Sequence, residues 1–135
     1  MIENILILKY QDTFQIVGGH PENENLFSVI VDEVNKIETL DKDKILQIRM
    51  GSKTVFLLPI VVKETDEEKG DLGILAIIAT DESTQVLHLF PIKEISPIII
   101  PKNPPEEVFK RVTEICKELM SDVRTKLARK EEMMW

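Results

Sequence analysis

The chain has 135 residues, 43% of them hydrophobic and 30% charged, the profile of one globular domain with a core of its own rather than a disordered or fibrous chain. Its net charge of -7 argues against nucleic-acid binding, which needs a basic stripe to displace counterions from phosphates. One cysteine, Cys116, excludes an internal disulfide and a thiolate metal cluster.

The start "MIENILILKY" lacks the basic, apolar and small-residue regions of a signal peptide. The apolar run "VFLLPIVV" is interrupted by Pro59 and ended by Lys63, well short of the roughly 18 residues a membrane helix needs. A cytoplasmic location is expected. With 18 Ile, and 13 Lys against 4 Arg, the composition fits AT-rich coding sequence, so a prokaryotic or archaeal source is expected.

"ENILILK" is a short apolar run that reads as a strand buried on both faces. "YQDT" supplies turn chemistry and "FQIV" alternates, which together predict a hairpin. Gly18, Gly19 and His20 follow, and the glycines read as the corner where the strand ends, supplying positive φ, with Pro21 stiffening the turn. Phe27, Ile30, Val31, Val34 and Ile37 then recur at spacings of three and four and predict a helix. Asn23 or Asn25 can cap its start, and Glu22 and Glu24 suit its dipole.

"ILQIRM", "TVFLLPIVVK" and "LGILAIIAT" read as a meander of three strands, with the acidic loop "ETDEEKGD" before the last. The segment 85 to 103 contains Pro91, Pro97 and Pro101, which forbid one long helix. It admits an extra strand within residues 85 to 95 and an extended packing segment at "SPIIIP", and its period does not decide. Pro104 and Pro105 then open the last helix, whose apolar stripe from Val108 to Leu127 predicts five or six turns.

The first and fifth strands are apolar almost throughout, whereas the second and third alternate. A five-stranded, mainly antiparallel sheet in the order 2-1-5-4-3, with helices on both faces, produces that difference. The fold class expected is α/β (α+β), with residues 1 to 130 as one domain and 131 to 135 as a tail. Pro59 is a misfit in a fourth strand lying inside the sheet, and a bulge or bend is expected there.

No residue set carries a reaction. Gly18-Gly19-His20 lacks the spacing of a phosphate loop, and Glu22 and Glu24 would repel an anion. His20 and His88 are the only histidines, without metal-ligand spacing, and Cys116 falls on an apolar stripe where a thiolate is disfavoured. Asp81 and Glu82 sit in ordinary turn composition. No catalytic residue, metal or cofactor is expected, and the chain reads as a non-enzyme.

The order of elements over residues 1 to 80 and the closing helix, carried by "ENILILK", "FQIVGG", "NLFSVIVDEVNKI" and "LGILAIIATDES", resembles the longin domain of the profilin-like and roadblock-type folds. The resemblance implies a protein–protein interaction module, a subunit or regulator in small-GTPase or membrane-trafficking assemblies. A true longin continues from the fifth strand into two helices, and here the proline-rich segment stands in place of the first. Dimerisation or pairing with a partner is expected through edge strands, with Phe14, Ile16, Ile48 and Met50 as contacts. Trp135, after a helix end bearing Arg124, Lys126, Arg129 and Lys130, is a further candidate for a partner or for peripheral contact with an anionic membrane. The alternative expectation is a small-molecule sensor of PAS-like type, with a ligand between sheet and helix.

Overall fold

The computed structural model describes residues 1 to 41, 44 to 80 and 84 to 133. Strands β1 (Ile2–Gln11) and β2 (Thr13–His20) form the expected hairpin. Its turn hinges on Asp12, whose φ of 64° lies in the left-handed region that Asp tolerates better than most residues. Helix α1 (Glu24–Asn35) starts at Asn23, which accepts the backbone N–H of Leu26 on Oδ1 at 3.2 Å. The meander is β3 (Leu46–Met50), β4 (Lys53–Lys63) and β5 (Asp71–Ala79).

The strands lie in the order β2-β1-β5-β4-β3, as their burial patterns predict, and a short β6 (Ile98–Ile99) pairs with β4. Every pairing is antiparallel except that of β6, which runs parallel to β4. Because successive side chains of a strand point to opposite faces, β1 and β5 feed two separate cores. Ile5, Ile7, Leu75 and Ile77 pack on Phe109, Cys116, Met120 and Val123 of helix α3 (Glu106–Met133). Leu6, Leu8, Ile74, Ala76 and Ile78 pack on Phe27, Ile30 and Val34 of α1. Each of the large aliphatic side chains buried this way contributes about 1.5–3 kcal/mol of transfer free energy, so the two central strands carry much of the stability.

Three expectations need correction. The first concerns the extra strand: residues 85 to 95 form none, because Val86, Leu87 and Phe90 are buried at the spacing of one helical turn. They belong to α2 (Thr84–His88), its aftermath, and a 3₁₀ turn at Ile92–Glu94 beyond Pro91. The extended piece lies later, at β6 within "SPIIIP", where the N–H of Ile100 donates to the Lys63 carbonyl at 2.7 Å.

Pro59 needs neither bulge nor bend, since β4 and β5 keep unbroken register from Thr54 to Val62. The N–H of Val61 turns away from β5 and donates to Ser96 Oγ at 3.2 Å. Pro59, two residues earlier, has the same orientation. It therefore faces the gap between the last residue of β4 paired to β3, Leu57, and the first paired to β6, Val62. A missing donor costs nothing there.

The third correction is length. Helix α3 has 28 residues, nearly eight turns at about 3.6 residues per turn, and so runs into the segment expected as a tail. Its apolar stripe does end at Leu127, but the good helix formers after it carry the backbone on to Met133.

Candidate functional site

Gly18 and Gly19 are not a corner. Both lie within β2, and neither has positive φ. What they supply is room. A Cβ on Gly18 would stand 2.3 Å from Phe109 Cζ, whereas one on Gly19 would meet the Ile5 carbonyl oxygen at 2.6 Å and the Phe27 ring at 2.7 Å. The two glycines thus open opposite faces of β2, letting α3 press an aromatic ring onto one side and α1 onto the other. The chain leaves the strand at Pro21, whose carbonyl accepts from Asn4 Nδ2 at 2.6 Å.

His20 ends β2 beside the first residue of α3, with its Nδ1 buried, without a hydrogen-bond partner, and 3.9 Å from Glu106 Oε1. His88 is elsewhere, exposed on α2 and edge-on to Phe56 with ring centroids 6.3 Å apart. Cys116 is fully buried in the α3 core. The three residues are not assembled into one site, and among the described residues no group of three His, Cys, Asp or Glu side chains converges to hold a metal. Asp81 and Glu82 lie outside the described residues.

Burial pushes the Cys116 thiol up from 9.0 to about 12. As pH rises, the unfolded thiol loses its proton near its ordinary value while the folded one retains it, so the native state loses stability between about pH 9 and 12. Urea midpoints measured across that range should fall more steeply for the parent than for Cys116→Ala. At pH 8 the native thiol should react with a disulfide reagent only as fast as the chain opens.

The expected contact residues part company. Phe14 is 9% exposed, belongs to the α1-side core, and stacks edge-to-face on Tyr10 at 5.1 Å. It is a core residue, because the end of α1 lies over it. Ile16, on the same face of β2, is 46% exposed. Ile48 and Met50 are half-buried and pack at the margin of the α1-side core. Trp135 lies outside the described residues.

The strand edges themselves are guarded against main-chain pairing. On β2 the Asn35 carboxamide does what a neighbouring strand would: it accepts the Phe14 N–H at 2.8 Å and donates to the Phe14 carbonyl at 3.1 Å. Val17 then forms a bulge between the pairs Leu8↔Ile16 and Ile7↔Gly18. At the other side of the sheet β3 is five residues long and carries Arg49, and the stretch of β4 left unpaired between β3 and β6 carries Pro59. Charge, shortness, bulges and proline all discourage strand addition, so contacts at these edges must be made by side chains.

Helix α3 carries more apolar surface than the sheet covers. Its stripe is two rows: Phe109, Thr113, Cys116 and Met120 are buried against the sheet, while Val108, Val112, Ile115 and Leu119 are only half-buried. Val108, Val112 and Ile115 of the second row border a groove of about 550 Å³ whose other wall includes Ile95, Pro97 and Ile99. A second groove of about 330 Å³, between Leu89, Pro91 and the C-terminal half of α3, adjoins the first at Glu94. The signal was present: a stripe that includes both 108/112/115/119 and 109/113/116/120 is too wide to face one sheet.

Comparison of the chain with family models, with curated proteins and with solved structures found no match in any of the three. Among the described residues no helix is long and apolar enough to cross a membrane.

Proposed function

We propose that this chain is a longin-like protein–protein interaction module, acting without catalysis as a subunit or regulator in an assembly of the small-GTPase or membrane-traffic type. The observation that carries the reading is the sheet order β2-β1-β5-β4-β3 with α1 and α3 covering opposite faces. The departure from that pattern lies after β5, where only the five-residue α2 precedes the proline-rich segment in place of the first of two helices. Ile48 and Met50, half-buried on β3 at the margin of the α1-side core, offer a partner apolar side chains on a guarded edge.

A sensor is the second reading, favoured by the 550 Å³ groove, which falls in the range of about 300–1,000 Å³ typical of small-molecule sites. One experiment addresses both. The tagged chain is purified from its native host, examined by size exclusion with light scattering, and melted with and without a metabolite panel. The module reading expects a stoichiometric protein partner that is lost from an Ile48→Asp/Met50→Asp chain of native circular dichroism. A chain that stays a lone monomer and is stabilised by one metabolite favours the sensor.

A further inference from the structure

We infer that the groove on the flank of α3 binds an amphipathic α-helix of another protein, about 20 residues long, with acidic residues toward one end. The inference rests on the interaction-module reading and assigns a specific surface and partner chemistry to it.

Length and spacing argue for a helix. The two grooves follow α3 from Val108 to Lys130, about 33 Å at about 1.5 Å per residue. Val108, Val112, Ile115 and Leu119 are spaced four, three and four, the seam into which a second helix sets its knobs. Leu89 and Ile99, on the facing wall, are 54% and 41% exposed and would be covered by such an occupant.

An extended peptide is a poor fit. The facing wall is interrupted by Pro91 and Pro97, which lack N–H groups, and by a 3₁₀ turn. It offers no regular ladder, so an occupant must satisfy its own backbone, as a helix does. A second copy fits badly as well. The half-buried row lies beside its own wall, residues 89 to 99, and α3 of another copy brings that same wall with it. Two such recessed rows cannot both reach each other.

Charge adds a direction. In a chain of net charge -7, the groove is lined by Arg111, Lys126 and Lys130 against Glu94 and Asp122, one positive charge in excess. Two of the cations stand together at the end nearest the α3 C-terminus, one turn apart. Acidic residues of the incoming helix would face Lys126 and Lys130, while its apolar seam meets Ile115 and Leu119.

The test uses the full chain and a phage-displayed library built on a 22-residue helical scaffold randomised at its seam and flanks. Selected helices should carry apolar residues at four-three-four spacing with Asp or Glu toward one end. Their affinity should fall at least about tenfold on a Leu89→Glu/Ile99→Glu chain, the loss expected when anchor residues are removed from an interface. It should fall several-fold on Lys126→Glu/Lys130→Glu. The variants change exposed or groove-lining side chains, and unchanged melting midpoints would establish that they fold. Three results would overturn the proposal: no helix enriched, enriched helices indifferent to Leu89→Glu/Ile99→Glu, or a self-dimer in light scattering that this variant dissolves. If the groove fails while Ile48→Asp/Met50→Asp still releases a host partner, only the groove assignment falls; if neither variant affects any association, the module reading falls with it.

Discussion

Gly18→Ala should lower the urea midpoint and be partly rescued by Phe109→Leu, whereas Gly19→Ala should be more damaging and gain nothing from Phe27→Leu. At Gly18 the atoms in the way of a new Cβ, at 2.3 to 2.7 Å, all belong to the Phe109 ring. Ordinary contact begins near 3.4 Å, so the ring has to retreat by about 1 Å, a case of overpacking that costs about 1–3 kcal/mol. Replacing Gly by Ala also restricts the unfolded chain and returns about 0.4–1 kcal/mol, which is too little to reverse the sign.

Leucine at 109 vacates part of the space, and the double variant should show a favourable coupling of about 1 kcal/mol. Gly19 differs because its nearest obstacle is a backbone atom, the Ile5 carbonyl oxygen at 2.6 Å. Ile5 pairs with His20 on one side and Ile77 on the other, at the centre of the sheet. Its carbonyl cannot yield without disturbing both ladders, and trimming Phe27 leaves it where it is. A loss at or above about 3 kcal/mol is expected, the upper end for overpacking. Equal rescue at both positions would show that the glycines are not the close-contact windows described above.

Phe14→Asp should unfold the chain or cost about 3 kcal/mol or more, while Ile16→Asp should leave the melting curve nearly unchanged. The first removes a buried aromatic, itself worth about 3–5 kcal/mol when truncated, and puts a carboxylate in the α1-side core. The second changes a side chain already 46% exposed, where substitutions usually stay within about 0.5 kcal/mol. The pair decides how the β2 surface can be probed. An association lost in Phe14→Asp would report unfolding, and Ile16→Asp is the informative substitution. Chemical denaturation of both, followed by circular dichroism, is sufficient.

Much of the architecture was legible without coordinates, for physical reasons. Near-continuous apolar runs in "ENILILK" and "LGILAIIAT" require cover on both faces, which places β1 and β5 in the middle of the sheet and leaves the alternating strands at its edges. Asn23 before an amphipathic run and the proline pair before Glu106 mark helix starts because caps are local chemistry. The segment 85 to 95 was illegible because alternation and a single helical turn give the same pattern over five residues.

The candidate site was less legible. Phe14 and Ile16 are indistinguishable by period, sharing one face of one strand, and only the position of the α1 end separates a core residue from a surface one. The glycines of "IVGGH" fit a turn equally well in one dimension. That they are contact windows depends on Phe109, 91 positions beyond Gly18 in the chain. Pro59 is harmless only because β3 ends before it and β6 begins after it. The sequence by itself thus determined which segments must be buried, and from that the strand order. The tertiary structure alone decided which side chains meet across the layers, where the edges are closed, and which segment walls the second apolar row of α3. Periodicity is a local property of the chain, whereas contact between remote segments depends on how the finished layers pack.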